Sequence, residues 1–145
     1  MKSIAPILIV LIAATVYGVW YQRSRGKIRT STKSQKESQE KGSERALTAD
    51  ILGGPLGTRA TLVQFSSAFC TPCRATRTLL ENVVVGMDDV RHLDIDAEDH
   101  LDLVRKLDIR STPTTLILNS KGFEVGRAVG APKRDQVLTA LSVVH

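Results

Sequence analysis

Two cysteines, the only ones among 145 residues, stand three apart in Phe69-Cys70-Thr71-Pro72-Cys73. They follow the apolar, β-branched run Thr61-Leu62-Val63-Gln64-Phe65 and precede an amphipathic stretch. That junction constrains the fold more than any other feature, because a strand must deliver the chain to Cys70 and a helix must leave from it. If Cys70 opens the helix, both sulfurs lie on one face and can close on each other as a disulfide. The unpaired amides and positive dipole end of a helix start favour thiolate over thiol, so the leading cysteine is expected to be nucleophilic at neutral pH. The pair reads as a redox dithiol.

Three other readings compete. A structural disulfide closing so short a loop would contribute only ~2 kcal/mol, against ~3 kcal/mol for a fifteen-residue loop, so this is a poor place for a staple. Structural zinc needs four ligands, and His92, His100 and His145 have neither the H-x3-5-H spacing of fingers nor a second CxxC beside them, so no metal site is expected. Accident is the third, and the Thr-Pro insert at a strand-to-helix junction weighs against it.

Charge divides the chain. Residues 1–45 hold nine Lys/Arg and three Asp/Glu, whereas 46–145 hold eleven and twelve, so the overall basicity belongs to the amino-terminal segment and no nucleic-acid partner is expected. From Ile4 to Trp20 there is no charge, and Trp20-Tyr21 ends the run as an aromatic belt would. Residues 1–21 are therefore expected to form a transmembrane anchor, with 4–21 in the membrane. A cleavable signal peptide is the competing reading; its apolar region would be shorter, and no Ala-x-Ala site follows. Arg23, Arg25, Lys27, Arg29, Lys33 and Lys36 follow the run and only Lys2 precedes it, which puts the carboxyl side on the cytoplasmic face, an extracytoplasmic placement being the alternative. Residues 22–45, polar and basic with Ile28 as the one large aliphatic residue, read as a disordered linker.

Residues 46–145 are long enough for one core. A short edge strand is expected at Arg45-Ala46-Leu47 and a brief helix capped by Thr48. Arg74 to Val85 reads as a helix with Leu79, Leu80, Val83 and Val84 on one side, stopped by Gly86. Val90 to Asp94 is a second strand, parallel to the first across a right-handed βαβ crossover. Asp99 to Leu107 is a helix turning Leu101, Leu103 and Val104 inward. Thr114 to Leu118 and Phe123 to Val129 make a hairpin across Asn119-Ser120-Lys121-Gly122, Pro113 stands immediately before the first of these strands, at the edge position where a missing N–H is tolerated, and a last helix starting at Pro132 buries Val137, Leu138, Leu141 and Val144. The class is α/β, a sandwich with a mixed sheet.

At this point residues 46–145 resemble the thioredoxin family in four separate places: Leu62 to Phe65 running into Phe69-Cys70-Thr71-Pro72-Cys73, the strand end Leu93-Asp94-Ile95-Asp96, Ile109-Arg110-Ser111-Thr112-Pro113-Thr114, and Gly130. The resemblance implies a thioredoxin-like three-layer sandwich with a mixed central sheet flanked by helices, preceded here by one transmembrane helix. It implies Cys70 as attacking nucleophile, Cys73 as the buried resolving thiol, and a cis Thr112-Pro113 bond packed against the dithiol. Phe69, Thr71, Pro72, Thr112 and Pro113 would then bind the substrate. The redox group would be the Cys70/Cys73 disulfide with no further cofactor, the partners disulfide-containing proteins and an upstream thiol/disulfide reductase as electron donor.

The chain departs from the family at its chemistry. Gln64 stands where the family carries a buried Asp that assists the resolving cysteine, and an amide cannot take up that proton. His92 is a candidate replacement only by rough position, a plain surface histidine being the other and favoured reading. Phe69 replaces a Trp, Thr71 a Gly, and Thr78 a helix proline. The expected function is a membrane-tethered thiol–disulfide oxidoreductase; the alternative is a redox-silent adaptor binding partners through the Phe69/Pro113 surface. The anchored extracytoplasmic reductases of cytochrome c maturation share the anchor and CxxC, but only sixteen residues separate Cys73 from Val90, too few for their inserted strand and helix.

Overall fold

The computed structural model describes residues 10–18, 28–30 and 46–145. The carboxyl-terminal part is organised on a five-stranded sheet in the order β1-β5-β4-β2-β3. Its strands are β1 (Ile28–Thr30), β2 (Ala60–Ser66), β3 (Val90–Asp96), β4 (Thr114–Asn119) and β5 (Glu124–Val129). The helices of this part are α1 (Ala49–Leu52), α2 (Thr71–Val84), α3 (Leu101–Lys106) and α4 (Arg134–Ser142).

The β2-α2-β3 unit forms as expected, with β2 and β3 parallel and Gln64 aligned with Asp94. Every residue of β2 is buried, as required of an interior strand covered on both faces. Alternation along it divides two cores. Ala60 and Leu62 join Leu80 and Val83 of α2 and Val137, Ala140 and Leu141 of α4. Val63 and Phe65 face the other way, onto Leu52 of α1, Leu103 of α3, and Leu116 and Leu118 of β4. The result is a helix–sheet–helix sandwich. Leu79, Val84 and Leu138 pack only at the rim of the first core.

β4 pairs with both β2 and β5, and Pro113 lies immediately before it as expected, so its missing N–H falls outside the ladder. Other expectations need correction. Ala46 and Leu47 do not form a strand; the Leu47 amide donates to the Gly122 carbonyl oxygen at 2.9 Å. Gly122 (φ 80°) is required there, because a Cβ would sit 2.3 Å from the Leu47 oxygen. The edge strand is instead Ile28–Thr30, antiparallel to β5, so the linker is ordered at these three residues. The open edge of β5 offers unpaired N–H and C=O groups, and Ile28 and Thr30 are β-formers within an otherwise polar stretch. α3 is shorter than the expected 99–107, and in it Leu103 is buried and Leu101 exposed, since residues two apart lie about 200° round a helix from each other.

Half of the expected membrane span, residues 4–21, falls outside the described residues. Its described part, residues 10–18, is helical, and among the described residues no helix is long and apolar enough to cross a membrane.

Candidate functional site: a dithiol at a helix start

Small residues carry the chain from β2 to α2. Cys70 is the extended N-cap of α2, Pro72 lies in the first turn where its missing N–H is tolerated, and Cys70 and Cys73 are joined as a disulfide with Cα atoms 5.2 Å apart. The helix starts three residues before the expected Arg74. That places Cys73 inside its first turn, and the amide of Cys73 donates to the Cys70 sulfur at 3.1 Å. One of the orphan N–H groups of the helix start thus points at the sulfur named as nucleophile.

The two cysteines differ in access. Cys73 is 2% exposed, whereas Cys70 is partly exposed and its neighbour Phe69 is 100% exposed. Thr71 and Pro72 are exposed as well. The Thr112–Pro113 bond is cis, Pro113 is buried, and the Pro113 carbonyl accepts from the Gly130 amide at 2.8 Å. The hydroxyls of Ser67 and Thr112 lie 3.0 Å apart, which joins the loop before Cys70 to the loop before Pro113. The sequence reading did not single out Ser67, since nothing local marks it.

A polar chain runs beneath α2. Gln64, 0% exposed, donates from Nε2 to the Cys73 carbonyl at 2.8 Å and to Ser66 Oγ at 2.8 Å. Ser66 Oγ donates in turn to Asp94 Oδ1 at 2.5 Å, and the other Asp94 oxygen pairs with Arg77 of α2. Nothing in the sequence marks Ser66 or Arg77 for this chain of bonds, and Asp94 stands out only as part of the strand end Leu93-Asp94-Ile95-Asp96. Period two places Ser66 on the Gln64 face of the strand, but the β2–β3 register is needed to bring Asp94 beside them.

His92 lies two residues before Asp94 on the same strand. Burial lowers its pKa below the ordinary histidine value, against the opposing pull of Asp94 and Glu81 and with a further contribution from Arg77. Its Nε2 is buried without a hydrogen-bond partner, as are Gln64 Oε1, Thr76 Oγ1 and Thr115 Oγ1. Among the described residues no group of three or more His, Cys, Asp or Glu is arranged to hold a metal ion. Sulfur chemistry at a helix start is what this arrangement can perform.

The family model described as Thioredoxin matches residues 55–142. The chain is similar to a thioredoxin of Mycolicibacterium smegmatis, 30% identical over 100 residues that cover 67% of this chain and 86% of the relative. It is also similar to thioredoxin H5 of Oryza sativa subsp. japonica, 27% identical over 77 residues covering 53% of this chain. The chain spans only about half the length of two rice relatives, 56% of thioredoxin H5 and 54% of thioredoxin H2-1. Among solved structures it resembles chloroplastic thioredoxin z, with a TM-score of 0.53, 26% identity, and coverage of 59% of this chain and 77% of that one. Mitochondrial thioredoxin 3 of Saccharomyces cerevisiae, at TM-score 0.52 and 19% identity over 59% of this chain and 78% of that one, shares the fold.

Proposed function

We propose, on the premise that this chain belongs to the thioredoxin family, that it is a thiol–disulfide oxidoreductase working through Cys70 and Cys73. The observation that carries the reading is the disulfide at the start of α2, with the more accessible sulfur, Cys70, accepting a helix N–H. In the reduced protein the Cys70 thiolate attacks one sulfur of a substrate disulfide. A Cys70–substrate bond forms, the substrate S–S bond breaks, and the departing sulfur takes the electron pair and then a proton. Cys73 loses its proton and attacks Cys70 Sγ, the mixed disulfide breaks, and the second substrate sulfur leaves. The substrate has gained two electrons and the chain holds the Cys70–Cys73 disulfide. An upstream dithiol reductase resets it.

Phe69, Thr71, Pro72 and the Thr112–Pro113 loop form the docking surface for the substrate segment. Full exposure of the Phe69 ring and the Ser67–Thr112 contact support this assignment. Residues 1–21 anchor the protein in a membrane and the following residues link the anchor to the 46–145 domain on the cytoplasmic face; the uncharged run from Ile4 to Trp20 and the basic flank after it support that part.

The test is a Cys73→Ser trap. Without the resolving sulfur the reaction stops at the mixed disulfide, so Cys73→Ser is expected to accumulate covalent adducts through Cys70 that dithiothreitol releases. Absence of any trapped species, with Cys70 free and alkylatable, contradicts the proposed mechanism.

A further inference from the structure

Between the dithiol and the apolar core of α2 and α4 lies a layer of polar groups, buried at Gln64, Ser66 and Thr115 and reaching the surface at Asp94, whose hydrogen bonding is complete except at a few atoms. Gln64 and Ser66 share one face of β2, Thr115 of β4 stands opposite Gln64, and Asp94 of β3 stands beside it. Both hydrogens of the Gln64 amide are committed, one to the Cys73 carbonyl and one to Ser66 Oγ. Those acceptors fix which way the amide faces, since a flipped amide would set its oxygen against the Cys73 carbonyl. Ser66 can accept from Gln64 because its own hydrogen goes to Asp94, and Arg77 holds Asp94 from the far side. The remaining atom of the amide, Oε1, is buried with no donor. A buried acceptor left unmatched is costly and calls for an explanation.

Reduction supplies the missing donor. When a dithiol reductant opens the Cys70–Cys73 bond and itself becomes a disulfide, two electrons and two hydrogens pass to the pair, one hydrogen to each sulfur. Cys70 is partly exposed and can release its proton to solvent, but Cys73 is 2% exposed, so its new S–H is shut off from water, and the Gln64 amide that carries Oε1 already bonds the backbone carbonyl of the same residue. We propose that Gln64 Oε1 is the acceptor for the Cys73 thiol hydrogen in the dithiol state, and that Ser66 and Asp94 are positioning residues that hold the amide for it. This rests on the oxidoreductase reading and adds to it a device for setting the redox equilibrium. The bond exists only in the reduced protein, so it favours the dithiol and raises the reduction potential.

The full chain is equilibrated in glutathione redox buffers and its dithiol fraction measured, with thermal melts confirming that each variant is folded. Ser66→Ala and Asp94→Ala, which release the amide, are expected to shift the equilibrium toward disulfide by about three- to tenfold, tenfold being about 30 mV more negative for this two-electron couple. Asp94→Asn keeps an acceptor oxygen for the Ser66 hydroxyl and is expected within about twofold of wild type, a change below that of one lost hydrogen bond. If Asp94→Asn shifts as far as Asp94→Ala, Asp94 acts through its charge and the proposal is overturned. Thr115→Val removes the hydroxyl opposite Gln64 and is expected to shift nothing; a shift equal to that of Ser66→Ala would make that hydroxyl the thiol's partner instead. Infrared spectroscopy of the phosphine-reduced wild type gives an independent reading, the Cys73 S–H stretch being expected below the free-thiol frequency, and a free-thiol frequency overturns the proposal. Failure of the wild type to exchange with glutathione contradicts the oxidoreductase reading and leaves the infrared result to judge this one.

Discussion

The sulfur of Cys70 lies 3.1 Å from the amide nitrogen of Cys73 and accepts its hydrogen, so one cysteine caps the helix that contains the other. The contact gives the two sulfurs different roles within three residues. A negative charge on Cys70 Sγ meets the Cys73 N–H, which is shared with the Cys70 carbonyl, and the positive end of the dipole, whereas Cys73 is buried.

Alkylation of the reduced protein should follow that asymmetry. With one equivalent of iodoacetamide at neutral pH, peptide mass spectrometry is expected to find the label on Cys70, and on Cys73 only after denaturation. Equal labelling of both in the folded protein would contradict the assignment of roles.

The layer beneath the site sets a pH dependence through His92. Burial lowers its folded pKa below the ordinary value of 6.5, Asp94 and Glu81 pulling the other way. The sign follows from linkage: above 6.5 the imidazole is neutral in both states and costs nothing, whereas below 6.5 the unfolded chain binds the proton first. Stability therefore falls as pH drops through that value and continues to fall until the folded pKa is reached. Urea unfolding of wild type and His92→Gln between about pH 7.5 and 5, a window bracketing the ordinary histidine pKa, is expected to show a shallower loss in the variant; parallel curves would contradict it.

The second core tests the sandwich. Phe65, near the carboxyl end of β2, packs with Leu103, Leu116 and Leu118 on the face opposite α2. Phe65→Ala is expected to cost about 3–5 kcal/mol, or more than ten degrees of melting temperature for a domain of this size, at about 4–8 °C per kcal/mol. A loss under about 1 kcal/mol would mean that the site can collapse or is not packed as described.

The sequence-legible part of this architecture is the part with short-range causes. The apolar run at Leu62 to Phe65, the CxxC, the helical spacing of Leu80 and Val83 and the break at Gly86 each act within a few residues, and the βαβ rule joins them. What was not legible depends on pairing across the sheet. Ile28–Thr30 is three residues in a polar stretch and becomes a strand only because the edge of β5 is free to take it. Ser66 and Arg77 are unremarkable, and Asp94 is only one residue of a strand end, until the β2–β3 register and the packing of α2 bring them together beneath Cys73. Leu101 was expected inward and is exposed, since Leu101 and Leu103 lie about 200° apart around a helix and do not share one face.

The proposed anchor predicts where the protein is found. The full chain is expected to stay with the membrane fraction through carbonate extraction and to be released by detergent, while a chain starting at residue 46 should fractionate as soluble. Release of the full chain by carbonate would contradict an anchor at residues 4–21.

Catalysis by the Cys70/Cys73 pair is the central claim, and disulfide reduction measures it most directly. With dithiothreitol as the electron source, the wild type is expected to accelerate insulin disulfide reduction in proportion to its concentration, and Cys70→Ser, Cys73→Ser is expected to fall to the uncatalysed rate while remaining folded. A double variant that matches the wild type would contradict the account and leave the protein as a binding module that presents Phe69 and Pro113 without using its sulfurs.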